Sequence, residues 1–376
     1  MIYLDYSATT YTDKKVLKAF NNATQKYKGN PNSSHKLGLA AKQRINKSSE
    51  NILKTLKIKD SSIIYTSGST ESNNLAIKGI CKANKGKHII TTKMEHSSVI
   101  APINRLCSSD YDVSFVNLTE DGLVDIEHLK SMLTKDTVLV SIAGVESELG
   151  IKQNIKEISK VLEDFPNCYF HVDATQMIGK TKTDFNGVDL ISFSAHKFFG
   201  IKGIGALIKK DKVKLMPILD GGASTTKLRS GTPALELIIS LEKAISIAYE
   251  DFDKKLNYIR KLNKELKEFL LSFDDIKINN TKNSIDQIIN FSMNDAKKMV
   301  ELLNNDDIYL STKSACSTQE ALSKTIMAVY NDKKRANNSI RLSISYVTTK
   351  SEIKRFKKIF KDCYKKIGEE NENIKI

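Results

Sequence analysis

The sequence predicts an α/β protein, with a large domain built on a mostly parallel sheet flanked by helices and a smaller α+β domain. Three observations lead to this prediction. The chain has 376 residues, a length typical of two domains. Strand-like and helix-like patterns alternate from Ser62 to about residue 208, as they do in a parallel sheet covered by helices on both faces. From about Asp251 the pattern changes to long charged helices separated by short strands.

The alternating region is interpreted element by element. Its first strand is "SIIYTS" (Ser62–Ser67), and a helix starts in "GSTESNNLAIKGI" directly after it. The later strands are "HIITT", "VSFV", "TVLVSIAGV", "NCYFHVDA" and "VDLISFS". The helices between them are "HSSVIAPINRL", "DIEHLKSML" and a segment whose apolar residues recur at helical spacing, namely Ile151, Ile155, Ile158, Val161, Leu162 and Phe165. Ligands of such sheets bind at the carboxyl ends of the strands, where every motif below is found.

The predicted large domain covers residues 12–250. The smaller α+β domain covers residues 251–376 together with the N-terminal segment 1–11. Its helices are "DFDKKLNYIRKLNKELKEFLLSF" and "SEIKRFKKIFKDCYKKI", and its other elements lie around "IDQIINFSM", "IYLST" and "NSIRLSIS". A loop that contains Cys316 belongs to this domain.

Composition excludes several classes of protein. No apolar run reaches the roughly 18 residues of a membrane span. The segment "MIYLDYSATT" lacks the basic and apolar regions of a secretory signal, so we expect a cytoplasmic protein. The five Cys are scattered, odd in number and without a CxxC pair, which favours reduced thiols over disulfides or a zinc site.

The net charge of +15 raises the question of a nucleic-acid partner. Most of the basic residues are Lys spread along helices, as in "KKLNYIRKLNKELKEF", and such charge usually forms a solvated surface. The sequence contains no RNA-binding signature, zinc-finger spacing or interleaving of aromatic and basic residues. We therefore expect no direct nucleic-acid binding.

A candidate anion site lies in "YTSGSTESNNLAI" (Tyr65–Ile77), where a strand ends in a Ser-Gly-Ser-Thr turn before a helix. Backbone N–H groups and hydroxyls at a helix N-terminus can bind a phosphate. The alternative is ordinary N-capping by Ser69 or Thr70, which this motif alone favours.

Two charged residues follow neighbouring strands. Lys197 lies between His196 and two Phe in "SFSAHKFFGIKGIGALI", and Asp173 ends the strand of "HVDATQMIG". A carboxylate in this position needs a partner, and a metal, a buried Lys or a protonated ring nitrogen are the candidates. No set of His, Asp and Glu has the spacing of metal ligands, so no metal site is predicted.

A Lys amine and a carboxylate at neighbouring strand ends suit pyridoxal phosphate. The amine forms a Schiff base with the aldehyde, and the carboxylate keeps the pyridine nitrogen protonated. His96, in "KMEHSSV", follows another strand and is placed to stack on the ring, although a lone His is more often structural.

The sequence also resembles a known family. The motifs "YLDYSATT", "TSGSTESNNLAI", "EHSSV", "HVDATQ", "SFSAHKFFGIKGIG", "RSGT", "KSACS" and "SIRLSIS" follow the order and spacing of cysteine desulfurases of the nitrogen-fixation and iron–sulfur-cluster type. These are class V, fold-type I pyridoxal-phosphate enzymes. The resemblance covers the chain from Ile2 to about Ile367.

The resemblance implies roles around the cofactor ring. Lys197 is implied as the Schiff-base lysine, Asp173 as the partner of the ring nitrogen and Gln176 as a hydrogen-bond partner of the ring oxygen. His96 is implied to stack on the ring and to move protons.

Further roles concern the phosphate. Ser69, Thr70, Ser194 and His196 are implied to hold it. Thr232, in "RSGT", would reach the phosphate of the other subunit, which implies a homodimer with shared sites.

The resemblance implies that Arg341 grips the substrate carboxylate, a task suited to a bidentate guanidinium. It also implies that Cys316 is the nucleophile that takes the sulfur and becomes a persulfide. The residues agree, because Cys316 lies in a polar segment and Lys313, three residues earlier, can favour its thiolate.

The sequence departs from the family pattern at three places. Glu146 and Ser147 stand where the family has paired Asn, and the second Asn normally contacts the ring oxygen, so Ser147 is expected to make a weaker contact. The segment before "RSGT" is "GGASTTKL" in place of a "GGQE" or "GGHE" motif. Lys313 stands where the family has Gly.

The function expected is the conversion of L-cysteine to alanine with a persulfide on Cys316, which passes sulfur to an acceptor such as a cluster scaffold or a tRNA-thiolation enzyme. Two alternatives remain open. A selenocysteine lyase or another β-eliminating enzyme needs Lys197 and Arg341 but not necessarily Cys316. A catalytically weak sulfur-carrier subunit is the second alternative, and the changes at Glu146 and Ser147 motivate it.

Overall fold

The computed structural model describes residues 1–182, 184–224, 226–312 and 322–374. The largest element is a seven-stranded sheet, and in spatial order its strands are β2, Ser61–Thr66; β8, Gly205–Lys210; β7, Leu190–Ser194; β6, Tyr169–Asp173; β5, Thr137–Ala143; β3, His88–Thr91; and β4, Asp112–Phe115. Only β8 runs against the other six strands. The predicted α/β class with a mostly parallel sheet is therefore confirmed.

Two smaller sheets accompany it. They consist of β1, Ile2–Tyr3, parallel to β11, Ile308–Tyr309; and of β10, Ile288–Ser292, which lies between its antiparallel neighbours β12, Ser339–Ser343, and β9, Lys277–Ile278.

The helices in chain order are α1, Lys14–Lys26; α2, Lys36–Leu56; α3, Ser69–Ala83; α4, Ser97–Cys107; α5, Ile126–Met132; α6, Ile155–Leu162; α7, Leu235–Tyr249; α8, Phe252–Leu270; α9, Ala296–Asn305; α10, Lys324–Tyr330; α11, Lys333–Asn337; and α12, Lys350–Ile374. The expectation that Ile151 and Phe165 belong to the helical face was wrong, and Phe165 lies three residues after the end of α6. Ile151 lies before α6 in an isolated bridge with Ser284, and it is buried there without helical geometry.

Both faces of the large sheet are buried. Successive strand residues point to opposite faces, so Leu139 and Val140 of β5 enter different cores. The core that contains Val140 is closed by α2, α6 and α7, and the core that contains Leu139 is closed by α3 and α4. This covering by helices leaves the carboxyl edge of the parallel strands as the place where a ligand can enter.

A separate core forms around the small sheets. Ile2 and Leu4 pack there with residues of β10, β12, α8, α9 and α12. This packing supports our proposal that residues 1–11 accompany residues 251–376 as the smaller domain.

No helix among the described residues combines the length and apolar character that a bilayer-crossing segment needs. Within the same residues, no group of three or more His, Cys, Asp or Glu side chains is arranged to hold a metal ion.

Candidate active site

A cavity of about 200 Å³ opens at the carboxyl edge of the large sheet. The turns that follow β2, β3, β5, β6 and β7 line it, together with the N-terminal segment and β12. The predicted site residues that these elements bring together are Ser69, Thr70, His96, Ser147, Asp173, Gln176, His196, Lys197 and Arg341.

Lys197 ends a short 3₁₀ turn, Ala195–Lys197, that follows β7. Its Nζ donates to the carbonyl oxygens of Ser7 and Ala8, at 2.8 Å each. The amine is thus held at the cavity wall by backbone oxygens from the far N-terminal segment.

Asp173 is the last residue of β6, beside β7, and its side chain is buried. Its Oδ2 accepts from Asn73 Nδ2 at 2.9 Å, and its Oδ1 accepts from the backbone N–H of Thr175 at 3.0 Å. These neutral donors fix the orientation of the carboxylate without neutralising its charge. Asp173 and Lys197 line the same cavity.

His96 is the N-cap of α4. Its Nδ1 accepts the backbone N–H of Ser98 at 3.1 Å and lies 2.7 Å from the Ser98 hydroxyl oxygen. Because Nδ1 is an acceptor, the neutral ring carries its proton on Nε2. Burial lowers the pKa of His96 below 6.5, the charge of Lys197 lowers it further, and Asp173 opposes both.

The turn before α3 distinguishes the two interpretations of "SGST". The N-cap is Gly68, and no side chain caps the helix, so neither Ser69 nor Thr70 acts as an ordinary N-cap. The first N–H groups of an α-helix have no intrahelical partner, and these two residues line the cavity. The uncapped helix N-terminus is thus available to an anion.

A close crossing of two backbones holds this turn in place. A Cβ at Gly205 would lie 2.6 Å from the Cα of Gly68, so only glycine fits where β8 begins beside the turn. A Cβ at Gly68 would lie 3.4 Å from Ser194 Oγ, so the Ser194 hydroxyl lies close to the turn. Ser194 itself is buried at the end of β7.

His196 precedes Lys197 and lies against the N-terminal segment, with its Nδ1 3.0 Å from Thr9 Oγ1. Burial lowers the pKa of His196 to about 4, and the charges of Lys197, Lys202 and Lys180 act in the same direction. The ring is therefore neutral at physiological pH, and it can donate one hydrogen bond but carries no charge.

Arg341, on β12, is only 1% exposed. Its Nη2 donates to Asp5 Oδ1 at 2.8 Å, and its Nη1 donates to the carbonyl oxygen of Ser147 at 3.0 Å. Among the described residues Arg341 Nε has no hydrogen-bond partner. A buried guanidinium with spare donor capacity at a cavity wall is suited to a carboxylate ligand.

Gln176 lies three residues after Asp173. Its Nε2 donates to the carbonyl oxygen of Ser7 at 2.8 Å, and its Oε1 accepts from Lys180 Nζ. Gln176 itself lines the cavity, and its NH₂ group has a second N–H beside the one that bonds Ser7.

The loop after β5 explains how Glu146 is accommodated. Its carboxylate accepts the backbone N–H groups of Glu148 and Leu149, at 2.6 Å each, and the Thr325 hydroxyl at 3.1 Å. Burial raises the pKa of Glu146 to about 7, and the neighbouring Glu148 acts in the same direction. Glu146 therefore stabilises, through these hydrogen bonds, the loop that contains Ser147.

Two predicted residues of the described chain, Thr232 and Ser194, are not among the residues that line this cavity. Thr232 is exposed and lines a neighbouring cavity of about 770 Å³, where Arg229 pairs with Glu71 of α3 at 3.0 Å. Cys316, with Lys313, lies outside the described residues.

Sequence reasoning missed the contribution of the N-terminal segment. Asp5, Ser7, Ala8 and Thr9 contact the predicted side chains, as described above. It also missed Asn73, which bridges Asp173 and Ser98. Both segments belong to motifs that the sequence analysis singled out, "YLDYSATT" and "TSGSTESNNLAI". The N-terminal contacts, however, are made mainly by backbone oxygens, which cannot be predicted from the type of residue.

The chain was compared with protein families and with known proteins of similar sequence. The description of the family Aminotransferase class-V matches residues 2–356. The chain is 37% identical to a NifS/IcsS protein homolog of Lactobacillus delbrueckii subsp. bulgaricus, over 99% of each chain. It is 36% identical to the cysteine desulfurase IscS of Dictyoglomus turgidum, over 94% of this chain and 91% of that protein.

Solved structures agree with these sequence matches. A NifS-like protein superposes with a TM-score of 0.90 at 29% identity, over 97% of this chain and 99% of the other. A NifS-like protein from Rickettsia africae gives a TM-score of 0.86 at 27% identity, over 97% and 99% of the two chains.

Proposed function

The chain belongs to the aminotransferase class-V family and is a cysteine desulfurase of the NifS/IscS type, and from this premise we propose that it works with pyridoxal 5′-phosphate held in the cavity around Lys197. The observation that carries the proposal is the pairing of strand ends. The carboxylate of Asp173 ends β6 and the amine of Lys197 follows β7, its parallel neighbour, and both line one cavity.

The donor set fits this cofactor. The uncapped N-terminus of α3, with the hydroxyls of Ser69 and Thr70, offers donors for a phosphate. Ser194 adds a neutral donor beside the same turn, and His196 adds one at the cavity wall. Asp173, fixed by Asn73 and a backbone N–H, offers its charge to a ring nitrogen. Once bound, the cofactor supplies an aldehyde that condenses with amines and a protonated ring that withdraws electrons from the substrate Cα.

The chain's own residues orient the substrate and handle its protons. Asp5 and the carbonyl oxygen of Ser147 each accept a hydrogen bond from Arg341 and so fix the plane of its guanidinium. The remaining N–H groups of Arg341 bind the carboxylate of L-cysteine. The amine of Lys197, held by Ser7 and Ala8, is the group that removes and returns the Cα proton. The Nδ1 of His96 accepts the backbone N–H of Ser98, and this hydrogen bond places the ring proton on Nε2 and fixes the orientation of the ring.

Gln176 and Ser147 are proposed to contact the ring oxygen, and His96 to stack on the ring. The amide of Gln176 retains one N–H for this contact. Ser147 is shorter than the Asn of the family pattern, so its contribution is expected to be weaker.

Cys316 is proposed as the sulfur acceptor within the chain. Its thiolate attacks the substrate sulfur, an S–S bond forms, the C–S bond breaks, and the electron pair of that bond remains on the substrate, which is then protonated. Overall, L-cysteine and the Cys316 thiol give L-alanine and a Cys316 persulfide. The persulfide would then pass its outer sulfur to a cluster scaffold or a tRNA-thiolation enzyme.

We also propose a cytoplasmic homodimer in which Thr232 completes the phosphate site of the other subunit. The position of Thr232 supports this, since it is exposed in a separate cavity of its own chain. Arg229, three residues earlier, ties this segment to α3 through Glu71, so the segment has a fixed place from which to reach a partner.

Borohydride trapping tests the cofactor proposal. The protein is mixed with pyridoxal phosphate, reduced, digested and examined by peptide mass spectrometry. We expect the added pyridoxyl mass on Lys197. Lys197→Ala should lose both the label and the formation of alanine from cysteine. Lys202→Ala, which changes an exposed neighbour, should keep both the label and alanine formation. A label distributed over surface lysines, with alanine formation unchanged in Lys197→Ala, would contradict the proposal.

A further inference from the structure

Lys180 is a buried amine for which the reaction described above has no use. It lies in the segment after β6, four residues beyond Gln176, and its side chain is almost fully removed from solvent. Lysine is seldom buried unless its amine is paired. Its Nζ donates to Gln176 Oε1, and the charges that face it are those of Lys197 and Arg341.

These surroundings make the position of Lys180 costly. Burial lowers the pKa of Lys180 well below its usual range, and the charges of Lys197 and Arg341 lower it further. His196, the other titratable group affected by Lys180, is neutral at physiological pH. Asp5, the acidic partner of Arg341, is already engaged by Arg341 and Ser311. A residue that served only to fill space would avoid this cost with an apolar side chain.

The hydrogen bonds connect Lys180 to the cavity. Lys180 donates to Gln176 Oε1, Gln176 Nε2 donates to the Ser7 carbonyl oxygen at 2.8 Å, and the same oxygen accepts from Lys197 Nζ at 2.8 Å. Gln176 is therefore the link between a buried amine and the amine proposed to bind the cofactor.

In the structure Lys180 Nζ donates to Gln176 Oε1, whereas an amide can turn either end toward a neighbour. A donor at the position of Lys180 requires the oxygen of Gln176 to face it. The NH₂ group must then face Ser7 and the cavity. We propose that Lys180 is a positioning residue that fixes the amide orientation of Gln176, so that a donor and not an acceptor is presented to the cofactor's ring oxygen.

The competing explanation is that Lys180 only stabilises its segment. Its backbone has separate contacts, since its carbonyl oxygen accepts from Gln287 Nε2 at 2.9 Å and its N–H donates to the Met177 carbonyl oxygen at 3.1 Å. Side-chain variants leave both of these bonds in place, so they isolate the contribution of the amine.

Lys209 provides a matched control. It is also buried, and among the residues that the structure describes its Nζ donates to the carbonyl oxygens of Lys210, Asp211 and Val213. It lies at the end of β8 opposite to Gly205, which is the end beside the cavity turn. Lys209→Met therefore removes a buried lysine without touching the site.

The inference rests on the proposed function, and a double-mutant cycle on cofactor affinity tests it. The Kd for pyridoxal phosphate is measured by absorbance titration for the parent, Lys180→Met, Gln176→Leu and the double variant. One hydrogen bond corresponds to roughly a three- to tenfold change in Kd. We expect each single variant to weaken binding by about this factor, and the double variant to be no weaker than Gln176→Leu.

Two further variants separate the hydrogen bond from charge and from folding. Lys180→Gln removes the charge and keeps a donor, but its amide can also turn its oxygen toward Gln176. We therefore expect its Kd and the absorbance maximum of its bound cofactor to lie between those of the parent and Lys180→Met. Lys209→Met should leave both unchanged even where it lowers the unfolding temperature. These comparisons also hold if Gln176→Leu fails to fold.

The outcomes are distinguishable. If the parent does not bind pyridoxal phosphate, the proposed function is overturned and this role of Lys180 with it. If the parent binds but Lys180→Met matches Lys209→Met in Kd and absorbance, only the positioning role is overturned. The same holds if Lys180→Met weakens binding as much in the Gln176→Leu background as in the parent, because Lys180 then acts independently of Gln176.

Discussion

The guanidinium of Arg341 lies 2.8 Å from the carboxylate of Asp5, across 336 positions of sequence. Arg341 is almost completely buried, so Asp5 is the counter-charge that keeps a cation inside the protein before any substrate arrives. The residue proposed to bind the substrate is thus also held in a buried ion pair.

Asp5→Ala should destabilise the unloaded protein. Removal of one partner of a buried ion pair leaves the other charge uncompensated, at a cost of about 3–5 kcal/mol. Chemical denaturation measures the free energy of unfolding. Glu127→Ala is the control, because its pair with Lys130 is exposed and should contribute less than about 1 kcal/mol. Equal effects of the two substitutions would show that Asp5 does not balance the charge of Arg341.

Glu95→Gln should change how stability depends on pH. Burial raises the pKa of Glu95 from 4.5 to about 8, with smaller contributions from Asp173 and Glu146. Glu95 Oε1 accepts from Thr92 Oγ1 and from the Ala143 N–H, and an amide oxygen can replace it.

The raised pKa gives the sign of this effect. The folded protein keeps the Glu95 proton that the unfolded chain loses near pH 4.5, so this stabilisation is full below that pH and is lost as the pH rises through about 8. The loss amounts to at most about 5 kcal/mol at 1.36 kcal/mol per pH unit. Denaturation between pH 5 and 9 should show Glu95→Gln gaining on the parent as the pH rises, and parallel curves would refute the assignment.

Ser147→Asn should tighten the binding of pyridoxal phosphate or shift its absorbance, because it restores the longer amide of the family pattern. The gain of one hydrogen bond, about 0.5–1.5 kcal/mol, predicts a change of several-fold in Kd. Ser147→Ala serves as the control and should not tighten binding. An unchanged Kd and spectrum in Ser147→Asn would mean that the ring-oxygen contact is already complete.

Thr232 allows the shared-site dimer to be tested by mixing two inactive variants. If Thr232 completes the partner's site, a dimer of one Lys197→Ala and one Thr232→Arg subunit keeps one intact site out of two. Random reassociation of the two variants should then restore about a quarter of the parental activity. Sedimentation should show a dimer, and mixtures that stay inactive would argue for sites formed within single chains.

Cys316→Ala should separate the desulfurase from a plain eliminating enzyme. Its cofactor absorbance and its affinity for cysteine should match the parent, because Lys197, Asp173 and Arg341 are unchanged. Persulfide should be absent, and alanine formation should fall by orders of magnitude, since a covalent nucleophile is lost. Cys107→Ala, at an exposed thiol, is the control. Turnover of cysteine by Cys316→Ala at the parental rate would favour a lyase.

The sequence predicted the parts of the site that residue type and strand position reveal. Asp173 and Lys197 were found because charges at the ends of apolar strands are costly without partners. The contacts of Ser7 and Ala8 were not found, because they are made by carbonyl oxygens that every residue possesses. Lys180 was overlooked for a related reason, since a lysine in a turn is usually solvated and only burial makes it unusual.

The helices α1 and α2 were also missed, because they precede the alternating strand and helix patterns that begin at Ser62. A usable pattern exists in α2, where Ala41, Ile45, Ile52 and Leu56 are buried at helical spacing. The contacts of Asn73 with Ser98 and Asp173 could not be predicted without the fold, since 100 residues separate Asn73 from the carboxylate to which it donates.

The contacts of the N-terminal segment also determine when the site can be completed during synthesis. Tyr3 pairs with Tyr309, and the N–H of Ser7 donates to the Ser343 hydroxyl, 336 positions later. A ribosome has therefore made the whole large sheet long before the oxygens that hold Lys197 can take their places, and closing so long a loop is intrinsically slow. A nascent chain that stops before β12 has the strand ends of the cavity but lacks the anchor of its N-terminal wall, so capture of the cofactor should come after synthesis and not during it.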